Sequence, residues 1–511
     1  MVKIIDCYTK YNNDYSVEIL YSFIDENGRH NFNKVNADNI KYSFFLIPNT
    51  KNRFRYIYTV KDLILTGGII YKIEAPYKVY TQIKSIKNKI LSGEIQSADK
   101  ILNNYLLKSF ETAKKKGLLS ITKYFLDKSQ NKLTSINLDY NSFIKEFNPY
   151  NYYIANDFNL EVKFPYIANF NIADYEDITL GFLDIEVITD GKFPNEEEAK
   201  YPITSIALVI YRPSKKKYKV VNYIYIDKKF TKASIDAVKH YLDKIRNNFL
   251  NLEEFSEIFN ALPELNTNFD GFYYKIFVDE KTMLEDFAQL LKSENVNLLS
   301  GWNSISFDMK YMFFRGLNLN ARNFINYIYR DEEFIKNEIA KTKEKNIFVK
   351  ISSASEYYIP GIPHIDMKEI LESSFLKQQF KSYKLDYIAK EILKTGKIYI
   401  PDLNKAYKDP NQIELFIKYN ILDSILVFAI ELKQVLIKTL FTIRNTTGFF
   451  TFFNLNINNV LDSYLNTFAI KNKVFFVSKH EATHLNHELF KIYLEVNNYK
   501  KSHLELLRLV K

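Results

Sequence analysis

Three apolar runs follow one another between residues 180 and 226: LGFLDIEVI, ITSIALVIY and YKVVNYIYI. Each is short, rich in β-branched and aromatic residues, and bounded by polar or turn-forming stretches, which is the pattern of strands. The connection between the second and third, RPSKKKYK, predicts a hairpin tip. Behind them the pattern turns helical over Lys281–Ser293, then to a short strand in VNLLSGWN, then to helix again from Phe307. Strands first and strand–helix alternation afterwards specify a mixed sheet with helices on its faces, an α/β fold of mixed α+β kind. Three more helical segments are predicted downstream: DMKEILESSF, SYKLDYIAKEIL and a long one from about Gln412 to Leu440. Upstream, residues 1 to about 178 mix aromatic strands with helix. There YSVEILYSFIDENGRHNF reads as a hairpin turning at Asp25–Gly28, and Lys84 to Leu119 as basic helix broken near Gly93.

The first of the three runs contains an anomaly. Residues i and i+2 of a strand share a face, so Asp184 and Glu186 lie side by side, with Leu183, Ile185 and Val187 on the other face. Two like charges on a half-buried surface repel each other and resist desolvation unless a cation sits between them. Alone, the pair fits an ordinary salt-bridged or edge-exposed position. Two further features join it. Asn303 and Asp308 fall where a strand hands over to a helix, the end at which α/β sheets build sites, although Asp308 alone also suits a helix N-terminus. Tyr419 and Asp423 are four residues apart, hence on one helix face, and Asp423 interrupts the apolar set Ile417, Ile421 and Ile425. The full set is four carboxylates and a tyrosine, without cysteine or histidine. All-oxygen donors select Mg²⁺ or Mn²⁺ over Zn²⁺, and carboxylates converging on two such ions support phosphodiester hydrolysis.

Asp-Ile-Glu, Asn-x-x-x-Phe-Asp and Tyr-x-x-x-Asp, in this order, resemble the three exonuclease motifs of family B DNA polymerases, most closely the T-even phage type. DIEVITDGKFPNEEEAKYPITSIA, LLSGWNSISFDMKYM, SYKLDYIAKEILKTGK and KYNILDSILV are all similar to segments of that family, as is YSFIDENGR near the N-terminus. The resemblance covers most of residues 1 to about 478. It implies a 3′-to-5′ proofreading exonuclease of the DEDDy kind on a ribonuclease-H-like sheet, preceded by a mixed α/β N-terminal domain. Under it, Asp184, Glu186 and Asp423 hold one ion, while Asp184 and, through water, Asp308 hold the second. Tyr419 orients the attacking water. Phe193 stacks on a frayed 3′ end, Asn303 binds the substrate strand or holds the strand end, Phe307 contributes to substrate binding, and Lys397 lies near the scissile phosphate. The implied domains are residues 1–178, an exonuclease domain over 179–436, a helical return over 437–478, and a tail over 479–511 that could dock a partner.

The family's palm motifs, resembling Asp-x-x-Ser-Leu-Tyr-Pro-Ser and Asp-Thr-Asp, do not occur in these 511 residues. The expectation is therefore the proofreading subunit of a split polymerase, with palm, fingers and thumb on a second chain. The substrate is single-stranded or frayed DNA, and a sliding clamp is a further candidate partner. A free-standing exonuclease on DNA or RNA, and a scaffold that binds the palm chain and nucleic acid, are the alternatives.

The net charge of +10, from 70 Lys and Arg against 60 Asp and Glu, suits a polyanion partner. It is discounted here, because the richness in Lys, Asn, Ile, Tyr and Phe is also what A/T-rich codons produce. A single cysteine, Cys7, rules out an internal disulfide framework and suits a reducing compartment. MVKIIDCYTKYNNDY lacks the apolar core of a signal peptide, and Ile421 to Ile443 carries four charges, reading as an amphipathic helix rather than a span. The expected location is the cytoplasm, a host's if the gene is a phage's. His480, Glu481 and His484 form a His-Glu-x-x-His match that reads as a polar surface helix before it reads as a zinc site. The runs Lys114–Lys116 and Lys215–Lys217 read as solvated faces before phosphate contacts, and TGGII lacks the residues of a phosphate-binding loop.

Overall fold

The structure is a computed structural model that describes residues 2–11, 16–48, 57–59, 69–91, 107–127, 132–146, 152–155, 163–164, 170–329, 361–372, 380–448, 457–472 and 474–476. The His480–His484 motif and the proposed docking tail lie outside the described residues.

The N-terminal part holds two antiparallel arrays. In the first, Lys3–Tyr11, Val17–Ile24 and His30–Asn36 pair in sequence, and Asn171–Ile172 adds a parallel edge. The expected turn at Asp25–Gly28 is present: Asp25 Oδ1 accepts from the N–H groups of Asn27 and Arg29, and Gly28 adopts a positive φ of 75°. The second array contains Tyr42–Pro48, Ile70–Ala75, Ser120–Asp127, Lys132–Leu138 and Tyr152–Ala155.

The site is built on a six-stranded mixed sheet. Its strands are β1 (Leu180–Val187), β2 (Ile203–Arg212), β3 (Lys217–Tyr225), β4 (Phe269–Phe277), β5 (Leu298–Gly301) and β6 (His364–Asp366). They lie in the order β4-β3-β2-β1-β5-β6. The first three are antiparallel neighbours, β2 and β3 joined by a tight turn and β1 and β2 by the longer segment that carries Phe193, while β4, β5 and β6 each add in parallel. The period-two pattern of β1 resolves into two cores. Leu180 and Phe182 face a layer made by α1 (Ile235–Asn248), α2 (Glu253–Ala261), α5 (Leu385–Leu393) and α6 (Ile413–Gln434). Leu183 and Ile185 face α3 (Glu280–Ser293) and α4 (Asp308–Asn318) on the other side.

Two helical expectations are corrected. The first half of Ile421 to Ile443 is not amphipathic: Phe416 to Glu431 of α6 are buried, except for Tyr419, whereas from Leu432 to Ile443 buried and exposed residues alternate. The helix packs on β1 and β2 and is covered by α1, α2, α5 and the short helix Leu403–Lys408, so no side of it needs a polar stripe. Among the described residues no helix is long and apolar enough to cross a membrane. The long helix also ends earlier than expected. Val435 adopts φ 49° and ψ 41°, and a new helix, α7 (Leu436–Thr447), starts behind it. No Pro or Gly marks this break. The side chain of Glu431, buried beneath the junction, accepts from the N–H groups of Ile437 (2.8 Å) and Lys438 (3.1 Å) and from the Tyr175 hydroxyl (3.1 Å). It thereby satisfies the first donors of α7. Further along α7, the buried Arg444 donates to the backbone carbonyl of Ile5, tying this helix to the N-terminal array.

Candidate metal centre

Asp184 and Glu186 sit on β1 in the same row as Phe182, on the face turned towards α6. Phe182 meets Phe428 of that helix with ring centroids 5.3 Å apart, whereas Asp184 bonds Asn420, so the helix runs antiparallel to the strand. This alignment delivers Asp423 to the two strand acids. One oxygen of each of Asp184, Glu186 and Asp423 lies within 4.8 Å of the others. The strand acids are partly exposed and Asp423 is buried. Beside them the pairing of β1 with β2 shifts register between Glu186 and Val187, an irregularity that re-aims the strand end.

Asp308 stands next to this cluster, outside the close-set trio. It is the first residue of α4, and its buried Oδ1 accepts from the N–H of Ile185 at 3.0 Å. The ladder between β1 and β5 ends at Phe182–Ser300, so the carboxylate takes a donor that lies beyond that ladder. The turn from β5 into α4 is tightly built. A Cβ on Gly301 would come within 2.6 Å of the Ser304 Cβ and 2.9 Å of the Leu183 carbonyl oxygen, so only glycine fits there. Asn303 has φ 59°, and the buried Asp366 at the end of β6 accepts from the N–H groups of Asn303 (3.0 Å) and Ile305 (3.1 Å). The Asn303 side-chain oxygen accepts from Lys368 Nζ at 2.9 Å.

Lys397 lies inside the centre. Its Nζ is 2.5 Å from Asp423 Oδ2 and 3.3 Å from the Tyr419 hydroxyl. The loop carrying it is held where Asp386 Oδ1 accepts the Lys397 N–H at 3.0 Å. Phe193 is 83% exposed, with its ring centroid 5.5 Å from that of Phe307, which lies 5.6 Å from Tyr311. An exposed aromatic is thus propped on α4 rather than buried in a core.

Burial, followed by the neighbouring acids Asp423, Glu186 and Asp308, raises the Asp184 carboxyl well above its usual range. Burial and then Asp423 do the same to Glu186. Burial pushes Asp308 up to about 7 against the Ile185 N–H. Asp423 is raised by burial and pulled back by Lys397. Lys397 is held in its charged form: burial disfavours that charge, but Asp423, Tyr419 and Asp184 outweigh it. One ammonium group therefore faces four carboxyls, and the buried Oδ1 of Asp423 has no hydrogen-bond partner among the described residues. Surplus acid, all-oxygen donors and that orphaned atom fit a divalent cation.

The raised carboxyls have a consequence for stability. A group whose folded pKa exceeds its unfolded value contributes stability that is complete below the unfolded pKa and lost as pH rises through the folded one. For Asp308 that window runs from 3.8 to about 7. In chelator, the melting temperature of Asp308→Asn relative to wild type is expected to rise between about pH 4 and about pH 7, in calorimetric scans at each pH. A constant difference across the range would show that Asp308 carries no such strain.

Asn420, Asp366 and Lys368 were not read from the sequence as site residues. Asn420 had one visible signal: it is a polar residue, four before Ser424, on a helix that is otherwise apolar at those positions.

Residues 118–388 match the family described as DNA polymerase family B, exonuclease domain. That span includes Asp184, Glu186, Phe193, Asn303, Phe307 and Asp308 and ends before Lys397, Tyr419 and Asp423. The chain is 26% identical over 291 residues to the DNA-directed DNA polymerase of Escherichia phage RB69, covering 55% of this chain and 27% of that protein. It is 25% identical over 295 residues to the corresponding protein of Enterobacteria phage T4, covering 54% and 28%. Against the DNA polymerase delta catalytic subunit of Plasmodium falciparum it is 27% identical over 185 residues, covering 34% and 16%. The chain thus spans little more than a quarter of the length of the phage relatives.

Proposed function

The chain belongs to the exonuclease-domain family of the family B DNA polymerases, with the ribonuclease-H-like fold of that family, and from this premise we propose that it removes nucleotides from the 3′ end of single-stranded or frayed DNA as the proofreading part of a replicative polymerase. The observation that carries the reading is the meeting of Asp184, Glu186 and Asp423 within 4.8 Å from a strand and a distant helix. Asp184, Glu186 and Asp423 are the ligands proposed for one Mg²⁺ or Mn²⁺ ion, and Asp184 with Asp308 for a second. Ions bound there supply the positive charge that activates water and offsets charge on the leaving oxygen. The remaining work falls to the protein. Lys397 donates to the Tyr419 hydroxyl oxygen, and the phenolic proton is the group proposed to orient the attacking water. Lys397 also holds Asp423 in place and brings positive charge to the phosphate side. Phe193, supported by Phe307, offers a face on which a terminal base stacks whatever its identity, as editing requires. Asn303, bonded to Lys368, stiffens the turn that carries Asp308. The partners proposed are the DNA 3′ end, a polymerase module with palm, fingers and thumb on another chain, and a sliding clamp.

A 5′-labelled single-stranded oligonucleotide tests the reading. In Mg²⁺ it is expected to shorten stepwise from its 3′ end, to stop shortening in excess chelator, and to resist when the 3′ terminus is blocked. Release of label from the 5′ end, or an intact strand in both Mg²⁺ and Mn²⁺, would overturn it.

A further inference from the structure

We propose that Asn420 is a positioning residue for the carboxylate of Asp184, and that Ser205 and Asn222 fix it in that role. The inference rests on the metal-dependent reading above and concerns residues outside its ligand set. Asn420 Nδ2 donates to Asp184 Oδ2 at 2.7 Å. An amide oxygen turned towards a carboxylate would repel it, so the orientation of the Asn420 amide is settled by this contact. Its Oδ1 then faces away, where it accepts from Ser205 Oγ at 2.6 Å and from Asn222 Nδ2 at 3.3 Å. Asn222 Nδ2 also donates to Ser205 Oγ at 3.1 Å. Every bond in the chain donates in one direction, from Asn222 through Ser205 and Asn420 to Asp184.

Asn420, Ser205 and Asn222 are all fully buried, between β2, β3 and α6. A polar chain in such a layer is costly where it is not fully satisfied, and Asn222 Oδ1 finds no partner among the described residues. Apolar residues would fill this layer at lower cost. What the chain achieves is a fixed rotamer for Asp184, the carboxylate proposed to serve both ions. The other anchors are of different kinds: Asp423 has Lys397, and Asp308 has the Ile185 N–H. The Asp184 contact engages one oxygen through a neutral side-chain donor and leaves the second for a ligand. Partners that orient a ligating side chain typically govern metal affinity or activity by ~10–100-fold.

The test uses the full chain with Mn²⁺ alone as probe, its binding followed by the loss of the free-ion paramagnetic resonance signal. Asn420→Leu is expected to weaken Mn²⁺ binding ~10–100-fold and to shift the metal concentration for half-maximal cleavage by a similar factor, with the rate largely recovered at saturating Mn²⁺. Ser205→Ala keeps Asn420 and is expected to shift both in the same direction by less. A merely structural role would lower the melting temperature in chelator without moving the metal dependence. Wild-type Mn²⁺ affinity in folded Asn420→Leu overturns the proposal; if that variant does not fold, wild-type affinity in Ser205→Ala does so. A wild-type chain that neither binds Mn²⁺ nor cleaves DNA removes the functional reading itself, a result distinct from both.

Discussion

Asp184→Asn is expected to slow 3′-end shortening by ~10³-fold or more while the metal-free chain becomes more stable. The substitution keeps shape and can keep the bond to Asn420, because the new amide oxygen can accept where Oδ2 did. What it removes is charge. A bound cation contributes several kcal/mol of transition-state stabilisation, and about 4 kcal/mol corresponds to ~10³ in rate. Asp184 is the residue proposed to contact both ions, so neutralising it weakens both at once. The same neutralisation relieves a cluster in which burial and three acidic neighbours oppose the Asp184 charge. Activity and stability therefore move in opposite directions, which a variant that merely disrupts the fold does not produce. Single-turnover cleavage at saturating Mg²⁺ and thermal unfolding in chelator measure the two effects. Activity within tenfold of wild type would remove Asp184 from the ligand set, and a lower melting temperature would contradict the electrostatic account.

The acids of this centre were legible because each breaks a pattern that is otherwise strict. Asp184 and Glu186 break the apolar face of a strand, Asp308 opens a helix behind a strand end, and Asp423 interrupts a run of isoleucines. The alternation around Asp184 predicted the face it occupies, and the structure has that face against α6. Less legible were features set by what surrounds an element. The burial of α6 on all sides depends on four helices and two strands that periodicity within the segment does not encode. The break at Val435 depends on a carboxylate four residues earlier satisfying donors of the next helix, with no glycine or proline to signal it. The same holds for Lys397. As a lysine in a loop it reads as solvated; the family resemblance alone pointed to it, and the fold brings it onto Asp423, 26 positions away. Polar residues that act by holding an acid, such as Asn420 and Asp366, look ordinary in sequence because their partners are distant along the chain.

Arg315→Leu is expected to destabilise the protein by about 3–5 kcal/mol, the cost of leaving a buried charge without its partner. Glu280, 4% exposed at the start of α3, receives two parallel bonds from Arg315 of α4, at 2.9 Å and 2.6 Å. Its Oε1 also accepts from the Ile203 N–H at 2.8 Å. The guanidinium further donates to the carbonyls of Ala199 (3.1 Å) and Lys200 (2.9 Å), and Ala199 has φ 39°. Arg315 therefore pins the segment leading from Phe193 into β2. Burial raises the Glu280 carboxyl and Arg315 opposes that rise. Without the arginine the carboxyl rises further, so the penalty should grow with pH and shrink towards about pH 5, since a raised folded pKa is linked to stability lost on deprotonation. Glu280→Gln combined with Arg315→Leu should recover much of the loss, because the neutral amide can still accept from Ile203 and leaves no buried charge. Urea unfolding of the two variants at several pH values measures this, provided the slope with denaturant stays constant. Because the pinned segment carries Phe193, the single variant should also raise KM for single-stranded DNA more than it lowers kcat. A loss below about 1 kcal/mol, the size of an exposed ion pair, would show that the Glu280–Arg315 bridge does not hold this segment.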